Sequence, residues 1–238
     1  VGEKSLLFHI GPIWFDGTIC IMLAITCLIV FGIVYFCSRN LQLKPKGKQN
    51  FLEWIVDFVR GILGDNLPAS EIGNFHLLMF TTFLFVFISN QIGLITKIVT
   101  PGDTSLWKSP TADPLVTLTL ALTMIVLTNF FGAKRFGGKG YLVNTFIRPV
   151  AFLAPIKVME EFTNTLTLGL RLYGNIYAGE VLLTLIAQLA MAKAPFTFVV
   201  AVPLEMIWIA FSMFIGAIQA YIFVTLSSVY LAHKIETE

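Results

Sequence analysis

Charge is what this chain has least of. Only 13% of its 238 residues are Asp, Glu, Lys or Arg, against 56% hydrophobic. The few charges cluster between long apolar runs, a pattern too apolar for a soluble core and suited to a chain that crosses a membrane several times. A net charge of +2, with no basic stripe interleaved with aromatics, excludes nucleic acid as a partner. There are three cysteines, Cys20, Cys27 and Cys37. All lie in the first apolar run, where residues of one straight helix cannot reach one another to form a disulfide. The three histidines, His9, His76 and His233, are far apart and lack ligand spacing, so no metal site is expected. The Gly-Gly-Lys-Gly stretch at 137–140 lacks the Walker A pattern and reads as a basic loop. No Ser/His/Asp or Cys/His arrangement stands out, so the chain is expected to be no catalyst on its own and to carry no cofactor. The first apolar run lacks a basic leader and is too long for a signal peptide. No internal repeat is apparent, and residues 1–238 read as one membrane domain.

What is present is a series of apolar segments. Residues 18–37 suffice to span a hydrocarbon core of about 30 Å. Arg39, Lys44, Lys46 and Lys48 follow, and by the positive-inside rule they place this loop in the cytoplasm and the N-terminus outside. In 50–66, Phe51, Trp54, Ile55, Phe58, Ile62 and Leu63 recur at helical spacing while Glu53, Asp57, Arg60 and Asp65 take the other side. This predicts an amphipathic helix at the inner face, lying on lipid or packed on the bundle. Spans follow at 75–97 and 113–133, and Lys134, Arg135, Lys139 and Arg148 return the chain to the inside. Segments 156–192 and 196–233 each give a helix of about 55 Å, too long to stand upright in about 30 Å of hydrocarbon. A strongly tilted hairpin turning near 192–195 accommodates them, with the C-terminus inside. The expected fold is all-α: about five membrane-embedded helices plus one amphipathic surface helix.

Within the first arm of that hairpin sits Arg171. An arginine at such depth costs between about 2.5 and about 17 kcal/mol, so it persists only where it faces protein or water and has a function. A purely structural arginine snorkels from near a helix end, and this one lies far from either. With Arg171 at zero, Asn175 falls at about +40°, Thr167 at about −40°, Asn164 at about +20° and Glu160 at about −20°, a single polar stripe leading from the inner end. Glu180 falls about 180° away, on the opposite face. On the second arm Glu205, Ser212 and Gln219 are spaced by seven and share a face. Antiparallel pairing sets Gln219 level with Arg171 and Glu205 level with Glu180. Taken singly, Asn164, Thr167, Ser212 and Asn90 read equally well as interhelical hydrogen-bonding residues, and Glu180 and Glu205 admit that reading too.

The motif LGLRLYGNIYAGE, followed some forty residues later by IGAIQAYIFVTLSSVYLAHK, closely resembles subunit a of the rotary F-type ATP synthase. The likeness extends to SNQIGLI and SPTADPLVTLTLAL, while the first fifty residues match only in pattern. The resemblance implies a stator subunit of the membrane proton channel, working against a ring of c subunits, with peripheral-stalk b subunits, the rest of the complex and lipid as further partners. It implies a bacterial inner-membrane location. By it, Arg171 is the essential arginine facing the ring, Asn175 and Gln219 are its polar neighbours, and Glu180 is the acid of the outer half-channel. Asn90 and Asp113 match polar positions on the access path. Some family members carry a histidine where this chain has Ser212, which hands that residue's role to Glu205. Two other classes stay open at this point: a secondary transporter binding an anionic substrate at Arg171, and a membrane scaffold in which Arg171 is paired with a neighbour.

Overall fold

A computed structural model describes residues 7–10, 13–39, 41–44, 46–95, 109–137, 140–141, 154–192 and 196–235. Among these, six α-helices follow a short antiparallel hairpin of β1 (Leu7–Ile10) and β2 (Ile13–Asp16). The helices are α1 (Gly17–Ser38), α2 (Lys48–Asn66), α3 (Ala69–Ile95), α4 (Pro114–Phe136), α5 (Ala154–Ala192) and α6 (Phe196–Ile235), with a 3-10 turn at Pro110–Ala112 before α4. Beyond the small hairpin, the all-α expectation holds. The expected turn at 193–195, the outer loop at 96–108, and the basic residues Lys139 and Arg148 lie outside the described residues.

Local chemistry sets the helix starts. Asp16 caps α1, its carboxylate accepting the backbone N–H groups of Thr18 and Ile19 at 3.0 and 3.3 Å. Asp113 does the same for α4 through Leu115 N at 2.8 Å, with Pro114 in the first turn, where a missing N–H costs nothing. Helix α3 begins at Ala69, one and a half turns earlier than its apolar run suggests, and α6 runs on through Pro203.

Among the described residues four helices are long and apolar enough to cross a membrane: α1, α3 as far as Gly93, α4, and α6 from Val199. With every backbone hydrogen bond made inside the segment, helices suit a solvent that offers none, and the protein is an integral membrane protein. The fifth expected member, α5, which carries Lys157, Glu160, Glu161, Arg171 and Glu180, is not among these four. Its place comes from packing: it lies along both α6 and α4. Helix α2 settles the alternative left by its amphipathic pattern. Ile55, Val59, Ile62 and Leu63 are buried in the main core against α3 and α6, while Phe51, Trp54 and Phe58 remain exposed at its edge. The core continues through Met79, Val86, Phe223 and Val224 of α3 and α6. Arg135 at the end of α4 and Glu71 at the start of α3 meet at 2.5 Å and tie those two ends together.

Candidate functional site

The buried face of α5 is drawn by Leu168, Leu172 and Ile176, one turn apart and each almost wholly covered. Gly169 lets α5 sit close on α4: a Cβ there would stand 2.8 Å from Leu118 Cδ2 and 3.0 Å from its Cα. With that face turned inward, geometry leaves Arg171 outside it. It is exposed, as are Glu160, Thr167, Gly174 and Ala178, while Asn164 and Asn175 are half-buried. The expected polar stripe is therefore present, and it lies on the outer surface of the chain. A Cβ on Gly174 would touch nothing within 4 Å, so the surface just beyond the arginine is shallow and open. Arg171 is the eighteenth of 39 helical residues, near the middle of the arm.

Two ties align the arms. Trp208 Nε1 donates to Gly179 O at 3.3 Å, and Lys234 Nζ meets Glu161 Oε1 at 3.0 Å near the other end. Between these ties α5 and α6 run side by side, so Arg171, inward of Gly179, falls opposite 216–219 of α6. Gln219 is buried there, and its Nε2 has no hydrogen-bond partner among the described residues. Glu180, adjacent to Gly179, is half-buried on the face away from Arg171; Glu205, one turn outward of Trp208, is half-buried as well. A small cleft of about 80 Å³ between the arms is lined by Asn175, Ala178, Trp208, Phe211 and Ser212, among others. It brings Asn175 and Ser212 together just outward of the arginine.

Asn90, wholly buried, faces the same part of α6 from α3. Its Nδ2 donates to Gly216 O at 3.0 Å, and its Oδ1 accepts the Thr111 hydroxyl at 2.9 Å. Neighbouring Gln91 donates to Met213 O at 3.0 Å. Ser109 bonds Thr111 at 2.8 Å and donates to Ser89 O at 2.8 Å. Gly93 permits this contact, since a Cβ there would collide with Ser109 Cβ. Asp113 is the cap of α4 and lies next to this cluster. Sequence reasoning reached Asn90 and Asp113 and missed Ser109, Thr111 and Gln91. Ser109 and Thr111 lie in a Ser-Pro-Thr-Ala-Asp run that reads as an ordinary turn before a helix, and Gln91 lies beside Asn90 in SNQIGLI; both stretches carry the resemblance but do not single these residues out. It also missed Glu161 and Lys234, which share the inner end of the hairpin. Among the described residues no three His, Cys, Asp or Glu side chains are gathered to hold a metal.

Chemically, the arrangement offers a permanent cation on an open surface, since a guanidinium stays protonated at any accessible pH. Uncharged donors and acceptors surround it, and carboxylates stand on either side.

The sequence profile of the family described as ATP synthase A chain matches residues 20–232. The chain is 67% identical to ATP synthase subunit a of Enterococcus faecalis, over 99% of both chains. It is 66% identical to that of Enterococcus hirae, again over 99% of both, and 54% identical to that of Listeria monocytogenes over 92% of this chain and 91% of the relative.

Proposed function

The chain belongs to the ATP synthase A chain family and is an integral membrane subunit of that enzyme, and from this premise we propose that it is the stator of the proton path, with Arg171 the barrier between two offset half-channels. The observation that carries this reading is the position of Arg171: mid-helix, exposed, on a shallow strip of its own chain. In a bilayer that strip must face lipid or a partner, and a bare guanidinium facing lipid is untenable. A partner that supplies carboxylates at that depth, a ring of c subunits, satisfies it.

The mechanism follows from the geometry. A proton enters from outside past Glu180, Glu205, Ser212, Asn90 and Asp113 and neutralises a ring carboxylate, which then tolerates lipid as the ring turns. On return it meets the inner stripe of Glu160, Asn164 and Thr167 and gives up its proton as it nears Arg171, whose charge favours the ionised form. Asn175, half-buried beside the strip, stands where it can donate to that carboxylate. Because Glu180 and the inner stripe occupy opposite faces of α5, no continuous water path joins them, and Arg171 keeps them apart. Lysine is a poor substitute, since burial lets an ammonium lose its proton.

In this reading the N-terminus lies outside and the C-terminus in the cytoplasm of a bacterial inner membrane, and the basic residues that follow α1 and α4 support that orientation by the positive-inside rule. The b subunits are the further partners. Arg171→Ala should abolish ATP synthesis in energised membrane vesicles while the subunit stays assembled. Synthesis at the parent rate in such vesicles would remove the assignment and favour a substrate-binding role for the arginine.

A further inference from the structure

Away from Arg171, the densest group of ionised and polar side chains closes the open end of the long hairpin. Lys234 Nζ, near the end of α6, lies 3.0 Å from Glu161 Oε1, near the start of α5, and the two side chains are only 12% and 22% exposed. The same carboxylate oxygen accepts Asn129 Nδ2 of α4 at 2.9 Å. Asn129 Oδ1 in turn accepts the Tyr141 hydroxyl, and Lys234 Nζ stands 5.9 Å over the Tyr141 ring. Helix α4 is shaped for the contact: a Cβ on Gly132 would come within 2.6 Å of the Tyr141 ring and 2.9 Å of Lys234 O.

A largely buried ion pair adds little net stability once desolvation is counted, but separating its members is costly, so its main effect is to select one geometry. Leverage makes that geometry matter here. Glu161 stands well beyond Gly179, where Trp208 ties the arms, about 27 Å along α5, so each degree of splay past that tie moves this end by about 0.5 Å. Proton transfer needs donor and acceptor within about 2.6–3.2 Å. Glu160 and Asn164, the outermost members of the inner stripe, are the immediate neighbours of this tie.

We infer that Glu161 and Lys234 are positioning residues: their ion pair is a strut that fixes the separation of α5 and α6 at the inner end and so sets the width of the inner half-channel. The inference rests on the half-channel reading above.

The test uses the assembled complex in inverted vesicles, with Cys20, Cys27 and Cys37 replaced by alanine and a single thiol placed by Asn164→Cys on the inner path or Ser212→Cys on the outer. Glu161→Gln and Lys234→Met should each change the labelling rate of the inner thiol, and slow ATP-driven pumping, by about three- to tenfold, as ordinary coupling between contacting groups allows. The outer thiol should label as in the parent. Exchanging the charges, Glu161→Lys with Lys234→Glu, should recover most of both, because the Asn129 amide can turn over to present its oxygen. Should the unpaired variants fail to assemble, Glu161→Asp, which keeps the charge and shortens the strut, should give a smaller shift of the same kind. Parent-rate labelling and pumping in the single variants or in Glu161→Asp overturns the strut, as does an exchanged pair no better than either single change. If instead Arg171→Ala pumps normally, it is the half-channel reading that fails, and the inner-thiol labelling still reads the strut by itself.

Discussion

At Asn90 both ends of one carboxamide are used, joining α3 to the Gly216 carbonyl of α6 and to the Thr111 hydroxyl before α4. Replacing Asn90 by leucine removes the acceptor of that hydroxyl and a donor to that carbonyl in a fully buried place, at a cost of about 1–3 kcal/mol. The expected outcome is a subunit that dissociates from the complex at lower temperature in detergent, with Thr111→Val showing a smaller loss. Gln219 is the contrasting residue. Its Nε2 is buried without a partner among the described residues, and native proteins rarely leave such a group idle unless it has a role. Both residues were legible in the sequence as polar intruders in apolar helices. Their partners were not, because Asn90 and Gly216 are 126 positions apart and no pattern along the chain encodes that contact. Glu161 went unnoticed for a related reason. Next to Glu160 it reads as one more acid at a helix start, and only the fold brings Lys234 to it.

Among the elements, α2 and α5 show what periodicity does and does not fix. The pattern of α2 predicted an amphipathic helix, and it is one, but which apolar residues are covered depended on its neighbours: Val59 and Leu63 are buried while Trp54 is exposed. In α5 the angular reading placed Arg171, Thr167 and Glu160 on one face and Glu180 on the other, as found, since helical geometry alone decides it. What periodicity could not say is that this polar face points out of the chain. That follows from Leu168, Leu172 and Ile176 filling the adjacent face, about 60–140° round the helix, and from Gly169 meeting α4. A methyl group at Gly169 must displace the Leu118 side chain and press on its backbone, and overpacking of this kind costs about 1–3 kcal/mol. Gly169→Ala should therefore lower the temperature at which the subunit is lost and, by lifting the arm two residues from Arg171, reduce coupled proton flux. Unchanged values for both would show that α4 gives way freely and does not set the depth of α5.

At the scale of the whole molecule, the described helices gather round α6, which packs on α3, α4, α2 and α5, while α1 packs on α3 and α2; α5 and α6 are arms of 39 and 40 residues. The bundle holds α6 through Asn90, Gln91 and the main core, α6 holds α5 through Trp208 and Lys234, and α5 presents its arginine outward. In the proposed mechanism the polar cluster around Asn90 serves one path and the stripe below Arg171 the other, with the arginine between them. That separation has a direct consequence for leakage. In vesicles whose complex is held from turning by a nucleotide locked in its catalytic head, the parent should be tight to protons under an imposed pH gradient. With Arg171→Ala, protons should cross without rotation. If the variant stays as tight as the parent under the same lock, Arg171 is not the barrier between the two paths.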